Sequence, residues 1–103
     1  MKVKVRLVQR FQAASKAQFL TLERQFALLE RENPAFPKGK RYLPYSGREA
    51  GNTLIWECEF ESLEAANQAL AFLEQDTSHE ELAQQQLPYF QDAYTEIYRL
   101  LED

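Results

Sequence analysis

The chain has 103 residues, 45% of them apolar and 27% charged, with 12 basic against 16 acidic side chains for a net charge of −4. That length provides one hydrophobic core and so a single domain over 1–103, the composition is that of a folded globular protein, and the acidic balance opposes attraction to nucleic acid phosphates or anionic lipid. Cys58 is the only cysteine, which excludes an internal disulfide and leaves no thiolate cluster for a metal; with no apolar stretch long enough to span a membrane, a cytoplasmic protein without metal or cofactor is expected.

In chain order, Val3, Val5 and Leu7 alternate with Lys4 and Arg6, the period-two pattern of a half-buried strand over about 2–11. Ser15 with Gln18 three residues on is a capping-box pattern, and Phe19, Leu22, Phe26 and Leu29 then recur at helical spacing. This first helix must stop by Asn33, because Pro34 disfavours the helical conformation in the residue before it. A second strand is predicted over about 40–46, on a sheet edge because Pro44 has no amide hydrogen to donate. After a loop bracketed by Gly47 and Gly51-Asn52, the set Leu54, Trp56, Cys58 and Phe60 alternates with Thr53, Glu57 and Glu59 in the clearest strand of the chain. Ser62 caps a second helix whose Leu63, Ala66, Leu70 and Leu73 face a core, ending near Asp76. Ser78 with Glu81 is a further capping box, predicting a short helix over about 79–86 that Pro88 closes, and a last strand is expected over Ala93 to Leu101.

The order βαββαβ predicts an α+β, ferredoxin-like antiparallel sheet in spatial order 4-1-3-2 with the helices on one face. The other face then carries Lys4, Arg6, Val8 and Arg10 from strand 1, Thr53, Ile55, Glu57 and Glu59 from strand 3, and Tyr94, Glu96 and Tyr98 from strand 4. Arg6 with Glu57 and Glu96 is the preferred polar cluster: charges brought into a mostly apolar setting must pair, and such settings shift pKa values. Val8, Ile55, Tyr94 and Tyr98 on a face without helices call for a cover, most simply a second copy. A homodimer is expected.

The run NTLIWECEF leading into SLEAANQALAFL, then DTSHEEL and YTEIYRL, resembles the dimeric α/β-barrel superfamily over the whole chain, particularly its NIPSNAP-like and antibiotic-biosynthesis-monooxygenase-like single-domain members. The resemblance implies two ferredoxin-like protomers packed sheet to sheet. It also implies small-molecule binding or, in the better-known members, cofactor-independent oxygenation of quinol-like substrates, or haem degradation. Haem-degrading members use an asparagine on strand 1, a tryptophan on helix 2 and a histidine soon after it. His79 stands at the place of that histidine, but strand 1 has no asparagine and Phe72 occupies the region of the tryptophan, so the resemblance does not extend to haem chemistry.

His79 is the only histidine and the residue best suited to proton transfer, although its place beside Glu80 and Glu81 at a helix start predicts a solvated side chain. If the chain is an enzyme, His79, Arg6 and Glu96 are the expected proton handlers. Glu57, Arg48, Tyr42, Tyr94 and Tyr98 are the expected ligand contacts, the tyrosines for an aromatic ring and Arg48 for an anionic group at a pocket mouth. Trp56 and Cys58 share the alternating apolar face and are expected under the helices, the thiol inert. RNA binding, which shares this topology, stacks bases on aromatics of the central strands; strand 1 offers none on its open face and strand 3 offers Glu57 and Glu59. The expected function is therefore small-molecule binding by a homodimer, with oxygenation of an aromatic or quinol-like substrate as the alternative.

Overall fold

The computed structural model describes residues 1–102 and runs β1 (Val3–Phe11), α1 (Lys16–Glu32), β2 (Lys40–Tyr42), β3 (Thr53–Phe60), α2 (Leu63–Gln75), α3 (Thr77–Gln86) and β4 (Phe90–Arg99). The four strands form one sheet in the order β2-β3-β1-β4, with β1 antiparallel to both neighbours, as the alternation and the element order predict. No helix among the described residues is long and apolar enough to cross a membrane.

Four boundaries differ from expectation. The chain reaches α1 through a 3-10 turn, Ala13–Ser15, closed by Ser15 N–H donating to the Gln12 carbonyl at 2.8 Å. Ser15 is thereby turned out of the extended conformation a capping side chain needs, and makes no cap bond. Strand β2 stops at Tyr42 instead of continuing to 46, two residues before Pro44, and residues 43–52 fold as a loop. The α3 cap is Asp76, not Ser78: its carboxylate accepts from His79 N–H at 2.9 Å, so one residue ends α2 and starts α3. Strand β4 begins three residues early because an irregularity at Arg10/Phe11 brings Phe11 opposite Phe90.

The helix-facing side of β1, Val3 to Phe11 at odd positions, divides the core in two. Val3, Val5, Trp56, Cys58 and Ala66 form one cluster, and Phe11, Phe19 and Leu54 the other, where Phe11 stacks on Phe19 at 4.7 Å. Trp56 and Cys58 lie on this buried side as predicted. Gly39 is required beneath the indole, since a Cβ there would meet it at 2.1 Å. On α1 the buried residues are Phe19, Glu23 and Phe26, so the expected stripe of Leu22 and Leu29 is rotated enough to bury a carboxylate. On the opposite face of the sheet Val8 and Ile55, expected to need a second copy as cover, are already 2% and 7% exposed. Loop 43–52 approaches them there: Glu49 accepts from the Tyr94 hydroxyl at 3.0 Å and lies 3.8 Å from Arg10.

Candidate functional site

Between the sheet and the helices is a cavity of about 210 Å³. Its walls are largely apolar, with Val5, Leu7, Trp56 and Phe90 from the sheet, Phe26 from α1, and Leu70 and Leu73 from α2. Its polar groups come from elements distant in sequence: Gln9 on β1, Glu23 and Glu30 on α1, Arg41 on β2, His79 and Gln86 on α3, and the exposed Thr95 on β4.

Arg41 organises the polar end. Its partner across β3 is Trp56, so its side chain falls on the helix side and passes under α1. Nε donates to Glu23 Oε1 at 2.8 Å, Nη1 donates to Glu30 Oε1 at 3.3 Å, and Nη2 pairs with Glu30 Oε2. Glu23 accepts a second bond from Gln86 Nε2 at 2.9 Å, and Glu30 accepts from Trp56 Nε1 at 3.3 Å. Glu23 and Gln86 are 5% and 2% exposed, so these charges persist because each is paired and hydrogen-bonded. Burial works against the Arg41 guanidinium, but Glu30 and Glu23 more than offset it and its pKa is raised.

His79 is brought into this wall. Its ring lies against Phe26 with centroids 4.9 Å apart, it is half-buried, and the solvated helix-start residue expected from its neighbours is corrected. Burial lowers its pKa below 6.5 despite the opposing influence of Asp76, Glu30, Glu23 and Glu80, which favours the neutral imidazole. The ring makes no hydrogen bond among the described residues. Cys58, on the same side of the sheet, is buried as expected and points its thiol at the Lys38 carbonyl, 3.4 Å away; burial first, then Glu30 and Glu59, push its pKa up to about 11.

The other predicted residues meet on the opposite face. Arg6 stands directly across from Glu57 and from Glu96, the register expected of it, with Nε donating to Glu57 at 2.9 Å and Nη1 to Glu96 and to the Tyr98 hydroxyl, both at 3.3 Å. Tyr98 donates in turn to Glu96 at 2.8 Å. The bonds to Tyr98 and to Glu57 outweigh partial burial and raise the Arg6 pKa. Tyr94 is raised through its bond to Glu49. Arg6, Arg48, Tyr94, Glu96 and Tyr98 line an open groove under loop 43–52, whereas Tyr42 lies with Glu57 and Lys4 in a neighbouring depression. The trio His79, Arg6 and Glu96 is therefore not one site: the sheet separates the histidine from the other two.

Sequence reasoning missed Gln9, Glu23, Glu30, Arg41 and Gln86. A signal existed for two of them. Glu23 and Glu30 flank Phe26 at spacings of three and four, on the stripe that Phe19 and Phe26 define, and a carboxylate there is either solvated by a break in packing or paired inside. Arg41 and Gln86 carry no comparable local pattern.

This arrangement of sheet and helices is a ferredoxin-like fold, and solved structures share it. A NIPSNAP family protein from Agrobacterium tumefaciens matches with a TM-score of 0.79 at 13% identity, over 100% of this chain and 94% of the other. An antibiotic-biosynthesis-monooxygenase-like protein from Nitrosomonas europaea matches at 0.72 and 7% identity, over 97% and 90%. A cofactor-independent oxygenase from Streptomyces nogalater matches at 0.66 and 14% identity, over 99% and 95%. At these identities the likeness is one of fold. No family model and no curated protein matches the sequence.

Proposed function

We propose that this chain is a homodimeric small-molecule-binding protein whose ligand occupies the cavity between sheet and helices. The observation that carries this reading is the combination of an apolar chamber with a buried polar cluster at one end, the usual constitution of a ligand site. A smaller cavity of about 150 Å³ is enough to take benzene, so about 210 Å³ suits a single ring with a short substituent. The second copy covers the opposite face, where Tyr42, Tyr94 and Tyr98 remain substantially exposed around Arg6, Glu57 and Glu96. Under that cover the three charges become buried and fix the register of the two sheets. Native mass spectrometry of protein purified from its own host tests both parts: a dimer with an added mass is expected, and a monomer at micromolar concentration removes the dimer.

A second reading is favoured by His79, a neutral imidazole with free ring nitrogens on the cavity wall: oxygenation of an aromatic or quinol-like substrate without added cofactor, His79 taking the substrate proton. Oxygen uptake with a small quinol, absent from His79→Ala, is the expected result; equal uptake by both proteins dismisses the role. Arg6 and Glu96 act in this reading only through the dimer.

A further inference from the structure

The polar end of the cavity is unbalanced. Glu23 and Glu30 contribute two carboxylates against the single guanidinium of Arg41, whose Nε, Nη1 and Nη2 are all engaged by them. Lys38 is exposed, with its Nζ donating to the backbone carbonyls of Glu30 and of Asn33, and does not line the cavity. His79 could supply a second positive charge, but its burial against Phe26 opposes protonation.

The unused hydrogen-bonding capacity is also one-sided. Glu23 accepts one bond on each carboxylate oxygen and keeps a lone pair on both. A neutral His79 offers one acceptor nitrogen. Gln9 is 5% exposed and points from the helix side of β1 into the cavity, where its amide has no hydrogen-bond partner among the described residues. An anion meets two carboxylates here and no free cation, whereas a donor bearing positive charge meets the acceptors of Glu23, His79 and Gln9 along the cavity wall and cancels the excess.

We propose that the ligand of this cavity is an organic ammonium, a primary amine on an apolar body of about one ring, with its three N–H groups bonded to Glu23, His79 and the Gln9 carbonyl oxygen. This rests on the reading of the cavity as a ligand site and specifies the charge of what enters it. The apolar body lies against Trp56, Leu70 and Phe26.

Three isosteric probes decide it: 2-phenylethylamine, 2-phenylethanol and phenylacetate, titrated into the full chain by calorimetry with the fluorescence of Trp56, the only tryptophan and a wall of the cavity, as the local report. The amine is expected to bind roughly tenfold more tightly than the alcohol, the worth of a charge-assisted hydrogen bond, with the acid weakest. Glu23→Gln, which retains an acceptor for Arg41, should remove that tenfold advantage. Should that variant fail to fold, Gln9→Leu, which is buried and bonded to nothing, should weaken the amine severalfold. Alcohol or acid binding as tightly as the amine overturns the charge assignment and keeps the cavity reading. Failure of all three to bind overturns both.

Discussion

Arg41 Nε lies 2.8 Å from Glu23 Oε1, tying the three-residue edge strand β2 to the middle of α1 through a buried ion pair. Only 18 residues separate the two, yet neither is held by local structure: the pair exists because α1 docks on the helix side of the sheet and Arg41 shares that side with Trp56. It joins the sheet edge to the helix layer, and it sets the charge of the cavity.

Arg41→Met should therefore destabilise the fold by about 3–5 kcal/mol, because it leaves Glu23 and Glu30 buried without their counter-charge. Urea unfolding followed by circular dichroism measures it. The triple variant Arg41→Met, Glu23→Leu, Glu30→Leu should regain only part of the loss, since the apolar replacement removes the unpaired charges but leaves Gln86 Nε2 and Trp56 Nε1 without their carboxylate acceptors. A single variant as stable as the wild type contradicts the burial of the cluster.

Gly39→Ala places a methyl carbon 2.1 Å from the Trp56 indole and must push that ring aside. A cost of about 1–3 kcal/mol is expected, together with a shift in Trp56 emission as the indole loses its bond to Glu30. Unchanged emission would mean that the loop around Gly39 yields and not the ring.

The lowered pKa of His79 makes stability depend on pH in a definite direction. Burial is the leading cause, so the folded protein takes up the imidazole proton at lower pH than the unfolded chain, whose value is near 6.5. Between those two values the unfolded state binds more protons and stability rises with pH. The His79 contribution is thus complete above about pH 6.5 and lost as pH falls toward the folded value. The melting-temperature advantage of wild type over His79→Gln should shrink on acidification from pH 7.5 to 5.5. An advantage that grows on acidification refutes the assignment.

Cys58, with its pKa pushed up to about 11, should resist alkylation. At pH 8 iodoacetamide is expected to modify the native thiol roughly two orders of magnitude more slowly than the urea-unfolded one, reflecting the smaller thiolate fraction. Equal rates would place the thiol in solvent.

The Arg6 cluster and the His79 wall show how differently two parts of one protein can be read. Arg6 opposite Glu57 and Glu96 was legible because alternation assigns each side chain to a face, and the antiparallel order aligns neighbouring strands to within a residue or two. His79 was misread because its immediate neighbours, Glu80 and Glu81, are exposed, while its own burial comes from α3 packing on Phe26 of α1. In the same way Pro44 announced an edge strand, but where the chain then turned, folding loop 43–52 over Val8 and Ile55, depended on contacts such as Tyr94 with Glu49 across 45 residues.

The sequence by itself determined the elements, their order in the sheet and which face each strand residue takes, because periods of two and 3.6 are properties of the local backbone. Only the tertiary structure decided that Gln9, Glu23, Glu30, Arg41, His79 and Gln86 surround one cavity. Burying a charge is unfavourable until its partner arrives, and that partner is supplied by the docking of separate elements, which no local pattern encodes.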